Sequence, residues 1–203
     1  MSQPHISDIE NQMIAGIDYG AKLAGTTAVA WIQDGSLQFV SSSKGKDADA
    51  FLLSWAKEYQ PARLFLDAPL SLPGKYRGLA DCDDYFYRLA DKELHAMSPM
   101  FLGGLTARAM KLTACLQAEG AEVIETYPGH LARLLDLAAL GYKKNKANLP
   151  TVAAALSRLL SCTIPDLPDW HHIDAVLALL SGSRHQQGIA HTFGRVEEGV
   201  IVV

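Results

Sequence analysis

The chain is poor in cysteine. Its 203 residues hold three, Cys82, Cys115 and Cys162, an odd and widely spaced set that matches neither a thiolate metal site nor a disulfide framework. Buried, reduced thiols are the expected reading, which favours the cytoplasm. A basic surplus is also missing: 18 Lys and Arg stand against 22 Asp and Glu, for a net charge of −4. Any polyanion would therefore have to meet a local patch rather than a generally positive surface. Long apolar runs are lacking too. Met1 to Gln12 carries Asp8 and Glu10 instead of a basic start and an apolar stretch, and Leu131 to Leu140 is broken by Arg133 and Asp136, so neither a signal peptide nor a membrane anchor is expected. With no internal repeat, low-complexity tract or long linker, residues 13–203 are expected to form a single domain behind an N-terminal tail, 1–12.

What is present reads as an ordinary globular protein, 49% apolar and 20% charged, and long enough to bury a continuous core. Met13 to Asp18 has the pattern of a buried strand. Thr26 to Ile32 and Ser36 to Ser42 read as two more, with Asp34-Gly35 as the tight reversal between them, so the first three strands form an antiparallel meander. Asp47 can cap a helix that runs through Tyr59 and ends at Pro61. Arg63 to Asp67 then follows as a fourth strand, and a helical crossover between strands implies parallel pairing. Helices are expected over 79–95, 106–119, 131–140, 151–160 and 169–180, the last with Gly182 at its end, with a fifth strand over 123–126 and a small terminal strand over 199–203.

Three aspartates close otherwise apolar segments: Ile14-Ala15-Gly16-Ile17-Asp18, Leu64-Phe65-Leu66-Asp67, and Asp174 within His171-His172-Ile173-Asp174-Ala175-Val176-Leu177. Burying an unpaired carboxylate costs several kcal/mol, on the order of the whole margin of a small domain. A shared divalent cation is the simplest partner for all three. Ligand sites collect at the ends of parallel strands, and neighbouring strands lie about 4.8 Å apart, so Asp18 and Asp67 can stand together while Asp174 joins them from a packed helix. Hard oxygen ligands without His or Cys select Mg2+ or Mn2+, ions that hold phosphate and lower the pKa of bound water. Hydrolysis of a phosphodiester follows from that chemistry.

The order of motifs resembles a known group. Gly16-Ile17-Asp18-Tyr19-Gly20 before a strand-turn-strand is similar to the opening of the ribonuclease H-like superfamily. Leu66-Asp67-Ala68-Pro69-Leu70-Ser71-Leu72-Pro73, Arg77 with Asp81 and Arg88, Glu125-Thr126-Tyr127-Pro128 and Ile173-Asp174-Ala175 resemble one branch of it, of unknown function and predicted to be nucleases. The resemblance implies an α/β fold of ribonuclease H-like type: a mixed five-stranded central sheet, antiparallel in strands 1 to 3 and parallel through strands 4 and 5, with helices on both faces. It further implies that Asp18, Asp67 and Asp174 bind the metal, with Glu125 as a fourth ligand or base-orienting group.

Other residues are candidates for substrate. Arg77, Asp81 and Arg88 fall on one face if the helix over 79–95 begins early enough, and the two arginines could fork onto a phosphate while Asp81 holds them. Lys143, Lys144 and Lys146 add positive charge after Gly141, where a flexible polyanion could be met. His171 and His172 could shuttle protons near the metal. Each has a plainer reading: a turn or cap for Asp18 and Asp67, an exposed face for Asp174, a salt-bridge network for the arginines, a solvated loop for the lysines. The partners implied are a nucleic acid or a small phosphate ester, no membrane, and by the commonest symmetry a homodimer. Two other functions fit the same residues: a non-catalytic scaffold for an anionic ligand or protein, and a nucleotide-binding phosphotransferase of actin-like kind, suggested by the glycine-bounded loop Gly20 to Gly25.

Overall fold

Three antiparallel strands and two parallel ones share one sheet. The computed structural model describes residues 13–203, so the expected tail, 1–12, lies outside the described residues. Strands β1 (Ile14–Asp18), β2 (Ala28–Gln33), β3 (Ser36–Ser41), β4 (Arg63–Asp67) and β5 (Glu122–Glu125) are arranged β3-β2-β1-β4-β5. β1 pairs antiparallel with β2 and parallel with β4, and β4 pairs parallel with β5. This is the mixed sheet expected from the sequence. Asp34 and Gly35 both take positive φ, 50° and 72°, the twist a two-residue hairpin needs. The crossover to β4 is helix α1 (Ala48–Tyr59), whose first amides at Asp49 and Ala50 donate to the Asp47 side chain.

Five helices beyond the crossover bear on the site: α2 (Leu89–Leu94), α3 (Pro99–Leu102), α4 (Gly104–Ala118), α5 (Pro128–Leu134) and α6 (Leu149–Leu160). A last helix, α7 (Trp170–Gln186), is buried without a break from His172 to Gly182. A helix apolar on all sides belongs inside a protein, and α7 lies against β1, β2 and β4 on one face of the sheet. α1 and α4 cover the other face, packing Leu52, Trp55, Leu112 and Leu116 with Ala15, Ile17, Leu64 and Leu66. Among the described residues, no helix is long and apolar enough to cross a membrane.

Several expected boundaries shift. The helix anticipated over 79–95 is only α2. Gly78 and Asp81 take left-handed backbone, and the Asp84 carboxylate accepts from the amides of Phe86 and Tyr87. Those local bonds replace a helical ladder. Arg77 closes a short 3-10 turn, Gly74–Arg77, so Arg77, Asp81 and Arg88 do not share a helix face. The helix expected over 131–140 is α5 followed by turns, with Asp136 at positive φ. α7 passes through Gly182 because a side chain there would meet the Phe65 ring; the glycine marks close packing rather than a helix end. The terminal strand, β7 (Gly199–Val202), pairs with β6 (Thr192–Arg195), a strand too short and too broken by Gly194 to announce itself.

Candidate functional site

Side-chain alternation along the strands decides which face each carboxylate takes. Ala15 and Ile17 face the α1/α4 layer, so Gly16 and Asp18 face α7. Leu64 and Leu66 face α1/α4, so Phe65 and Asp67 face α7, where Phe65 packs on Ala178. The parallel register makes Asp18 and Asp67 direct partners at the ends of their strands. Gly16 lets α7 come close, since a Cβ there would overlap the backbone of Ala175 and Leu179. Directly before Ala175 on α7 stands Asp174, 4% exposed.

The three carboxylates feel one another. Burial, then the negative charges of Asp18 and Asp174, push Asp67 well above the usual carboxylate range. No hydrogen bond figures among the main causes acting on it. Burial also raises Asp174, although the Lys143 ammonium opposes this. Lys143 Nζ sits 2.6 Å from Asp174 Oδ2, and the Tyr142 hydroxyl donates to Oδ1 at 2.5 Å. His171 Nδ1 lies 2.8 Å from Asp18 Oδ2. That bond raises the imidazole pKa, against the opposing effect of burial.

A hard divalent cation fits the chemistry of these donors, and the Asp67 carboxylate would gain most from one. Yet among the described residues no three His, Cys, Asp or Glu converge tightly enough to cage an ion. The Lys143 ammonium and the His171 imidazole are the groups that serve Asp174 and Asp18.

Glu125 is placed differently. Its register partner is Leu66, so it takes the face opposite to Asp67. There it accepts from Leu70 N–H and from both terminal nitrogens of Arg88. Arg88 is wholly buried. Its five N–H groups go to Asp91 twice, Glu125 twice and Ser71 once. No donor is left for a phosphate, so the expected phosphate-binding face resolves into an internal strut for the loop Ala68–Gly74. Arg77 instead bonds the Glu197 carbonyl, and Asp81 accepts from Arg195 through its own carbonyl. Of the lysines, Lys143 reaches the carboxylates, while Lys144 and Lys146 are exposed. His172 is buried, bonding Asp169 and meeting the edge of Phe39.

Two groups escaped sequence reasoning. Tyr142 gave no signal beyond its place beside Lys143. Arg108 donates to Asp49 and to the Gly20 carbonyl and lies over the Tyr19 ring, which fixes the loop that follows Asp18.

No family model matches the chain. No curated protein matches it either. Among solved structures it is similar to one of Thermus thermophilus RuvC. The two are 18% identical over 87% of this chain and 97% of that one, with a TM-score of 0.46.

Proposed function

We propose that this chain is a metal-dependent phosphodiester hydrolase of nuclease type, with Asp18, Asp67 and Asp174 holding Mg2+ or Mn2+. The observation that carries this reading is the side-by-side register of Asp18 and Asp67 under Asp174, with the Asp67 carboxyl pushed well above the usual range by burial and then by its neighbours' charges. Strongly perturbed carboxylates at strand ends gather at functional sites. The ion would neutralise phosphate charge and lower the pKa of the attacking water. Lys143, half exposed beside Asp174, is free to turn toward an incoming phosphate oxygen. His171, anchored by Asp18, can take up a proton released there.

A second reading is favoured by one observation: Lys143, Tyr142 and His171 already occupy Asp174 and Asp18. On that reading the residues form a structural ion-pair network in a non-catalytic scaffold. Calorimetry with Mn2+, combined with hydrolysis of bis(p-nitrophenyl) phosphate, separates the two. The hydrolase reading expects Mn2+ binding and turnover, both lost in Asp67→Asn. Absence of binding and turnover in the wild type would leave the scaffold.

A further inference from the structure

Beyond the carboxylates, the site has a neighbour with different chemistry. A cavity of about 290 Å3 opens past the ends of β4 and β5, and Asp67 forms part of its wall. Ala96, Met97, Leu102, Leu105, Tyr127 and Ile201 make it largely apolar. A larger cavity, about 420 Å3, lies at the far end of the strands around Gln60, Ala62 and Ala121, away from the carboxylates.

The polar groups of the smaller cavity limit what it can take. Arg88 lines it but has every N–H committed to Asp91, Glu125 and Ser71, so it offers an anion nothing. Thr126 is 2% exposed, and its hydroxyl, without a partner among the described residues, is itself closed off from the cavity. Met97, on its wall, is 61% exposed. An exposed thioether and the Tyr127 ring on one wall suit a flat ring. The volume lies near the lower limit of ligand pockets, roughly 300 Å3, which suits one part of a substrate rather than the whole.

We infer that this cavity receives an unpaired nucleobase, so that the phosphodiester of the same strand lies at Asp67. This inference rests on the hydrolase reading for what happens to the phosphodiester, not for the binding of the base. A base within a duplex is stacked and paired and cannot enter, which makes single-stranded or locally opened nucleic acid the substrate class.

The test uses a short single strand carrying 2-aminopurine beside a neutral methylphosphonate link, titrated in EDTA, so that neither cleavage nor repulsion from the metal-free carboxylates intervenes. Comparators are the same strand in a blunt duplex, the strand made abasic at that position, and the 2-aminopurine mononucleotide. The single strand is expected to bind about tenfold tighter than the duplex or the abasic strand, the scale of one stacked base. Ala96→Trp, which fills the cavity, and Met97→Asp, at its exposed mouth, should bring binding down to the abasic level with the thermal midpoint kept. Should Ala96→Trp fail to fold, Met97→Asp and the abasic strand still decide. Mononucleotide binding as tight as that of the strand would assign the pocket to free nucleotides and overturn the polymer substrate. Equal affinity for single strand, duplex and abasic strand, or indifference to a folded variant, would overturn the pocket. Wild-type hydrolysis of bis(p-nitrophenyl) phosphate, an ester with no base, reads the hydrolase separately. Turnover without base-selective binding removes the pocket alone, and base-selective binding without turnover removes the hydrolase alone.

Discussion

Asp18 and Asp67 are the final register partners of two parallel strands, and Asp67 bears the electrostatic consequence of that placement. Its carboxyl is raised first by burial and then by Asp18 and Asp174. A raised folded value makes the ionised carboxylate a destabilising group above the unfolded pKa, about 3.9. Asp67→Asn should therefore stabilise the fold at pH 7 by about 1 kcal/mol or more, within the range of single stabilising changes. The gain should vanish as pH falls below about 4, where the unfolded chain is protonated as well. Urea unfolding at the two pH values checks this, and an equal gain at both would mean that charge is not the cause.

Arg88 makes the opposite case, a charge that holds its surroundings together. Arg88→Met would strand Asp91 and Glu125, which are 1% and 6% exposed, with no cation between them. Removing one partner of a buried ion pair costs roughly 3–5 kcal/mol. Adding Asp91→Asn and Glu125→Gln to Arg88→Met should recover part of the loss, because no charge then remains buried. Chemical denaturation of the single and triple variants measures both effects. A single variant within about 1 kcal/mol of wild type would contradict the strut.

The carboxylates were legible because period-two alternation and a helical crossover are local signals that carry over directly into neighbouring strand ends. Asp18 and Asp67 needed nothing else. Arg88 was not legible, since its partner Glu125 lies 37 positions away and an arginine is ordinarily read as exposed. The helix expected over 79–95 shared that fault: apolar spacing suggested a helix, while the Asp84 turn and the left-handed Asp81 decided otherwise. Lys143 was seen as a charge, but its pairing with Asp174 depends on how the loop after α5 folds back onto α7. Gly182 misled because close approach and helix termination both select glycine.

Gly16 sets the distance between α7 and the sheet, and so the height of Asp174 above its fellow carboxylates. In Gly16→Ala the new methyl would strike the backbone of Ala175 and Leu179, which cannot turn aside as a side chain can. Overpacking of this kind costs about 1–3 kcal/mol or more. The variant should lose that much in urea unfolding and, if the hydrolase reading holds, lose turnover as well through displacement of Asp174. Full stability with full turnover would show that α7 has room to spare.

His171 reports on Asp18 without requiring turnover. Its imidazole is raised above 6.5 by the bond to Asp18, while burial works against the shift. A raised histidine contributes stability that is complete below the unfolded pKa, about 6.5, and is lost as pH climbs through the folded value. Asp18→Asn should return the imidazole toward 6.5 and remove that pH dependence, as followed by NMR of the ring carbons. Saturating Mg2+ should move the same resonance in the same direction, because a carboxylate shared with a divalent cation attracts the imidazolium less. A histidine that titrates unchanged in Mg2+, while still responding to Asp18→Asn, would place the ion away from Asp18 and leave the pair purely structural.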